Sequence, residues 1–148
     1  MNRFYRAATA VLVAHDAVID KLIGDEVMAL FIPGIAGHDY RRRSVEAGAA
    51  LLRAVGYLSD DGPWLALGVG VYAGVAYVGN IGGAGVVDFT ALGDTVNVAA
   101  RLQAVGTSGE MIVGEGIHDE FTGLPRRERR TLQIRGHDEP VAVVAHSV

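Results

Sequence analysis

From Leu65 to Tyr72 the chain alternates strictly, with Leu65, Leu67, Val69 and Val71 on one side and Ala66, Gly68, Gly70 and Tyr72 on the other. A period of two predicts a strand. The first face carries branched apolar side chains, whereas the second is almost bare until Tyr72. Something must come close to a face without side chains, either a helix or a ligand, and a helix is the preferred occupant. With a helix in that place, the chain stacks helices on a sheet.

The rest of the 148 residues punctuates in the same sense. Most of the 20 glycines lie between residues 56 and 116, which predicts tight turns there. Asn2 to Ala14 is predicted helical, with Phe4, Ala8, Val11 and Leu12 near helical spacing. Ala17 to Ile23 and Val27 to Ile32 read as strands, joined through Gly24 and Asp25 in a type II′ hairpin and ended by Pro33 and Gly34. Tyr40 to Val55 is predicted helical, with Val45, Ala49, Leu52 and Val55 along one side and Arg41, Arg42 and Arg43 in a solvated first turn. A further strand pair runs through Val75 to Ile81 and Val86 to Leu92. Asp94 is a candidate N-cap for a helix reaching Val105. Met111 to Val113, Leu132 to Ile134 and Val141 to Ala145 complete a set of short strands. The expectation is one α+β domain over residues 1–148, with helices on one face of a mainly antiparallel sheet and no repeat or linker.

Composition excludes more than it assigns. Half the residues are apolar and 20% are charged, as in a soluble globular protein. The absence of cysteine removes disulfides and thiolate metal sites and is compatible with the cytoplasm, the expected location. A net charge of −4 argues against nucleic acid as the main partner. The longest apolar run, Val27 to Ile32, is too short to span a bilayer. Arg3 and Arg6 ahead of Ala7 to Ala14 imitate a signal peptide, but His15 and Asp16 follow at once, and an amphipathic helix is the better reading. The arginines at 126, 127, 129 and 130 read as a solvated loop, since Glu128 interrupts them and no aromatic residues interleave them. The five histidines are scattered without metal-ligand spacing.

Three polar features remain. Lys21 shares a face with Ile19 and Ile23 by period two, which invites a search for a buried partner, although an edge lysine snorkelling to water explains it slightly better. Asp25, at a hairpin tip, projects as a hard-cation ligand would, but aspartate is also an ordinary turn residue. Asn97 and Arg101 lie one helical turn apart, offset from the apolar stripe of Val98, Leu102 and Val105. An amide and a guanidinium so placed suit a sugar and a phosphate, and a surface hydrogen bond explains them equally well.

Two long stretches resemble a known family. Asp20-Lys-Leu-Ile-Gly-Asp-Glu-Val-Met-Ala-Leu-Phe resembles the lysine-bearing strand and metal-binding hairpin of class III adenylyl and guanylyl cyclases. Asp88-Phe-Thr-Ala-Leu-Gly-Asp-Thr-Val-Asn-Val-Ala-Ala-Arg-Leu resembles their second signature, in the right order, and the likeness covers nearly the whole chain. It implies the ferredoxin-like fold of that family and conversion of a nucleoside triphosphate to a 3′,5′-cyclic nucleotide. By this resemblance Lys21 and Thr90 select the base, and lysine with threonine marks a bacterial-type subgroup that is usually adenine-selective. Asn97 orients the ribose, Arg101 stabilises phosphate charge in the transition state, and Asp25 is the second of two metal-binding aspartates for Mg²⁺ or Mn²⁺. Lys21, Thr90, Asn97 and Arg101 come from one subunit and Asp25 from the other, in a head-to-tail homodimer acting on ATP.

The resemblance also implies an opening strand with a first metal-binding aspartate, which has no counterpart after Met1. The domain is accordingly expected to be N-terminally incomplete and impaired in two-cation catalysis. Leu132-Gln-Ile-Arg-Gly-His resembles a basic strand end where a lysine often meets the triphosphate, so Arg135 or His137 is a candidate contact; a surface role explains them as well. The alternative from another class is a noncatalytic module that binds nucleotide or a partner cyclase. A diguanylate cyclase is disfavoured, because Leu22-Ile-Gly-Asp-Glu-Val departs from that family's turn and Asn97 with Arg101 would have no use there.

Overall fold

The structure, a computed structural model, describes residues 2–148. It opens with α1 (Asn2–Ala14), the hairpin β1 (Val18–Ile23) and β2 (Glu26–Leu30), a short α2 (Pro33–Ala36) and α3 (Tyr40–Ala54). There follow β3 (Val69–Val71), the hairpin β4 (Tyr77–Gly83) and β5 (Val86–Leu92), and α4 (Asp94–Val105). The chain closes through β6 (Glu110–Gly114), β7 (Arg126–Leu132) and β8 (Val141–Ser147). A four-stranded sheet runs in the order β3-β6-β8-β7, with β3 and β6 parallel and the other pairs antiparallel. The β1–β2 and β4–β5 hairpins form separate two-stranded sheets.

The bare face of the alternating segment is explained by α4. A Cβ on Gly70 would lie 2.5 Å from the Ala99 carbonyl oxygen and from the Gln103 nitrogen, so only glycine admits the helix at this distance. The strand itself is shorter than predicted, because only residues 69–71 find a ladder partner, in β6.

Helices cover both faces of the main sheet, not one. On one side Phe4, Ala8 and Leu12 of α1 and Val45, Ala49 and Leu52 of α3 pack with Met111 and Val113. On the other, Val98 and Leu102 of α4 pack with Ile112, Val143 and Ala145. Successive residues of β6 therefore enter opposite cores, and all five are buried. Val105, expected in the α4 stripe, is exposed where the helix ends.

Three local expectations change. Gly93 (φ 135°) occupies the cap position of α4, and Asp94 is its first helical residue, where a carboxylate still complements the helix dipole. The arginine cluster is not a loop but the outer strand β7, whose backbone bonds to β8; Arg126, Arg127 and Arg129 stay in water, a common protection for a sheet edge, and Arg130 pairs with buried Glu110. The third lies in β1. Ile19 pairs with Ala29, but Lys21 pairs with Met28, so Asp20 is an extra residue in a β-bulge. Opposed residues share a face, and the bulge turns Lys21 away from the face of Ile19 on which period two had placed it. The hairpin loop is as expected: Ile23 pairs with Glu26 around Gly24 and Asp25, and Gly24 takes φ 58°.

Candidate functional site

The bulge aims Lys21 at β5. Its Nζ donates to Thr90 Oγ1 at 2.6 Å and to Asp20 Oδ1 at 3.0 Å, and lies 3.2 Å from Asp88 Oδ2. Thr90 Oγ1 in turn donates to Asp20 Oδ2 at 2.8 Å, and the Ala91 amide approaches the same oxygen at 3.5 Å. Period two along β5 puts Asp88 and Thr90 on one face, so both reach Lys21 from a strand far away in the sequence. The Asp20 side chain has no exposed surface, whereas that of Asp88 is 60% exposed. A buried carboxylate is tolerable only with partners, and Lys21 and Thr90 supply them. The hydrogen bond to Asp20 raises the Lys21 pKa above its ordinary value; desolvation opposes this and Asp88 adds to it. The ammonium therefore stays charged, a fixed donor beside a hydroxyl.

Asn97 and Arg101 occupy the solvent face of α4, both exposed, while Val98 and Leu102 beneath them are completely buried and fix the helix. Among the described residues neither polar side chain makes a hydrogen bond or ion pair. Asp25 is exposed at the β1–β2 tip. Arg135 is exposed in the β7–β8 connection; from that loop Ile134 packs with Val98 and Leu102 of α4, and His137 Nε2 lies 2.9 Å from Asp94 Oδ2. Lys21 and Thr90 are thus brought together, Asn97 and Arg101 share an open face, and Asp25 and Arg135 stand apart.

Two participants escaped sequence reasoning. Asp20 and Asp88 each lie beside or near a named residue, and a carboxylate adjoining a lysine on an apolar strand was a usable signal for the first. Asp88 shares Thr90's face by period two, which was the signal for the second. The donor set does not fit a divalent cation within one chain. Asp25 offers a single carboxylate, and no group of three His, Cys, Asp or Glu side chains converges among the described residues. No helix among them is long and apolar enough to cross a membrane.

Residues 2–146 match the family described as the adenylate and guanylate cyclase catalytic domain, and the chain belongs to that family. It has the mixed α+β architecture of class III nucleotidyl cyclase catalytic domains. The guanylyl cyclase Cya2 is similar with a TM-score of 0.84 and 23% identity, over 98% of this chain and 77% of that one. The adenylyl cyclase CyaB from P. aeruginosa is similar with a TM-score of 0.77 and 21% identity, over 99% and 80%. Among curated sequences, the uncharacterized protein Rv1319c of Mycobacterium tuberculosis is 28% identical over 95% of this chain. The chain spans only 26% of that relative's length.

Proposed function

We propose that residues 1–148 act as one adenylyl cyclase domain, converting ATP to 3′,5′-cyclic AMP and pyrophosphate in a head-to-tail homodimer within the cytoplasm. The observation that carries this reading is the 2.6 Å bond between Lys21 and Thr90. A lysine donor beside a threonine oxygen complements the ring nitrogen and the exocyclic amine along one edge of adenine. Asn97 would orient the ribose, and Arg101 would meet the charge that develops on the α-phosphate. The ribose 3′-oxygen attacks the α-phosphorus and gives up its proton to solvent water. The bond from that phosphorus to the bridging oxygen breaks, and pyrophosphate leaves. Arg135 is the proposed further contact to the triphosphate.

The open state of Asn97 and Arg101 supports a site completed by a second subunit. So does the β4–β5 hairpin, where Tyr77, Val86, Val87 and Phe89 are exposed together, with Val75 just before it 94% exposed. An apolar surface of this kind marks an interface. Mg²⁺ or Mn²⁺, which this family uses, would neutralise triphosphate charge when bound, with Asp25 of the opposite subunit as one ligand.

A second reading, a nucleotide-binding module without turnover, is favoured because Asp25 joins no group of three metal-ligating side chains among the described residues. Incubation of the protein with ATP or GTP and Mn²⁺, followed by chromatography of the products, separates the two. Cyclic AMP in clear excess over cyclic GMP is expected. ATP binding without any cyclic product would select the noncatalytic module, and predominance of cyclic GMP would overturn the adenine preference.

A further inference from the structure

A threonine hydroxyl can turn to donate or to accept, so Thr90 alone does not distinguish an amine from a carbonyl at the base. In this structure the hydroxyl is not free to turn. Its hydrogen goes to Asp20 Oδ2 at 2.8 Å, while Lys21 donates to its oxygen at 2.6 Å.

We propose that Asp20 is the positioning residue that makes the site adenine-selective, by taking the Thr90 hydroxyl hydrogen and leaving Thr90 Oγ1 only a lone pair to offer the base. The inference rests on the adenylyl reading above. The 6-amino group of adenine donates and is accepted there, whereas the 6-carbonyl of guanine presents lone pair against lone pair.

Asp20 is built for this task. Its side chain has no exposed surface, and Lys21 at 3.0 Å, Thr90 at 2.8 Å and the Ala91 amide at 3.5 Å hold its two oxygens. An ionised carboxylate accepts only, so the hydroxyl facing it has one stable orientation. The β-bulge that makes Asp20 an extra residue also brings Lys21 onto the Thr90 side. Asp88, at 3.2 Å from Lys21 and 60% exposed, is the partner that can swing into water and free one ammonium N–H to donate a hydrogen bond to the ring nitrogen.

The test is the ATP:GTP selectivity of the full chain, read by competition of each nucleotide against a fluorescent ATP analogue. Asp20→Asn preserves shape but can turn an N–H toward Thr90, so that the hydroxyl donates outward; selectivity should fall about tenfold. Thr90→Val has no hydroxyl to orient and should fall as far, and adding Asp20→Asn to it should change the ratio by less than about twofold. Unchanged selectivity in Asp20→Asn, or a further tenfold loss in the double variant, overturns the role of Asp20. Should Asp20→Asn fail to fold, Thr90→Val decides alone, with a retained ratio overturning the proposal and a tenfold fall supporting it. A wild-type chain without preference for ATP defeats the adenylyl reading itself, which keeps the two failures distinct.

Discussion

The Lys21 cluster and the Asn97–Arg101 face carry polar groups in opposite ways. Lys21 has three oxygen partners within 3.2 Å, and the Asp20 carboxylate beside it is sealed from solvent. Asn97 and Arg101 stand exposed on a helix whose other side is completely buried. The first constellation is finished inside one chain, with every polar partner already in place. The second is held rigidly but left open, as a group must be if its partner is a substrate charge that exists only in the complex.

Arg101 carries the largest expected effect. If its guanidinium meets developing phosphate charge, Arg101→Ala should lower kcat by about 10²–10³-fold with little change in the KM for ATP. Mixing that variant with Asp25→Ala should recover about a quarter of wild-type activity, because one of the two sites in each mixed head-to-tail dimer is intact. Equal loss in KM and kcat, or no recovery on mixing, would mean that the open face does not act across a dimer.

A partnered charge elsewhere in the scaffold calibrates the closed constellation. Buried Glu110 accepts from Arg130 Nη2 at 2.7 Å and from the Thr107 amide at 2.8 Å, and these bonds, the Arg130 bond foremost, lower its pKa from 4.5 to about 2. A depressed carboxylate contributes its full stability above the unfolded value and loses it as pH falls from 4.5 through about 2. The loss should amount to up to about 3 kcal/mol, read as the acid limb of stability in urea titrations. Glu110→Gln should flatten that limb. Lys21→Ala comes next: removing the donor from the closed cluster should reduce ATP affinity by roughly 10–100-fold, measured by displacement of a fluorescent analogue.

What the sequence discloses about these regions follows from how local each signal is. The exposed pair on α4 was legible, because Asn97, Arg101, Val98 and Leu102 are consecutive turns of one helix and their faces follow from 3.6-residue periodicity. The helix behind Gly70 was legible for a similar reason, as a face without side chains demands a close neighbour. The closed cluster was only half visible. Lys21 needs a bulge to reach Thr90, and a single extra residue reverses the face that period two assigns. Asp20 escaped because its partner on β5 is 70 residues away, and pairing at that range is set by the sheet, not by neighbours. The arginines of β7 hid a strand because an outer strand with charges on both faces has no apolar alternation to read.

The smallest predicted effect concerns stability, and it tests the contrast without any nucleotide. Asn97→Ala and Arg101→Ala remove groups that make no hydrogen bond among the described residues, so each should leave Tm within about 1 °C of wild type. Thr90→Val removes a hydroxyl bonded to both Asp20 and Lys21 and leaves a buried carboxylate short of a donor. That should cost about 1–2 kcal/mol, or roughly 3–6 °C in a domain of this size. Thermal unfolding followed by circular dichroism at neutral pH measures all three. A loss in Arg101→Ala as large as in Thr90→Val would mean that the guanidinium already serves the fold, and a residue spent on the fold is not waiting for a phosphate.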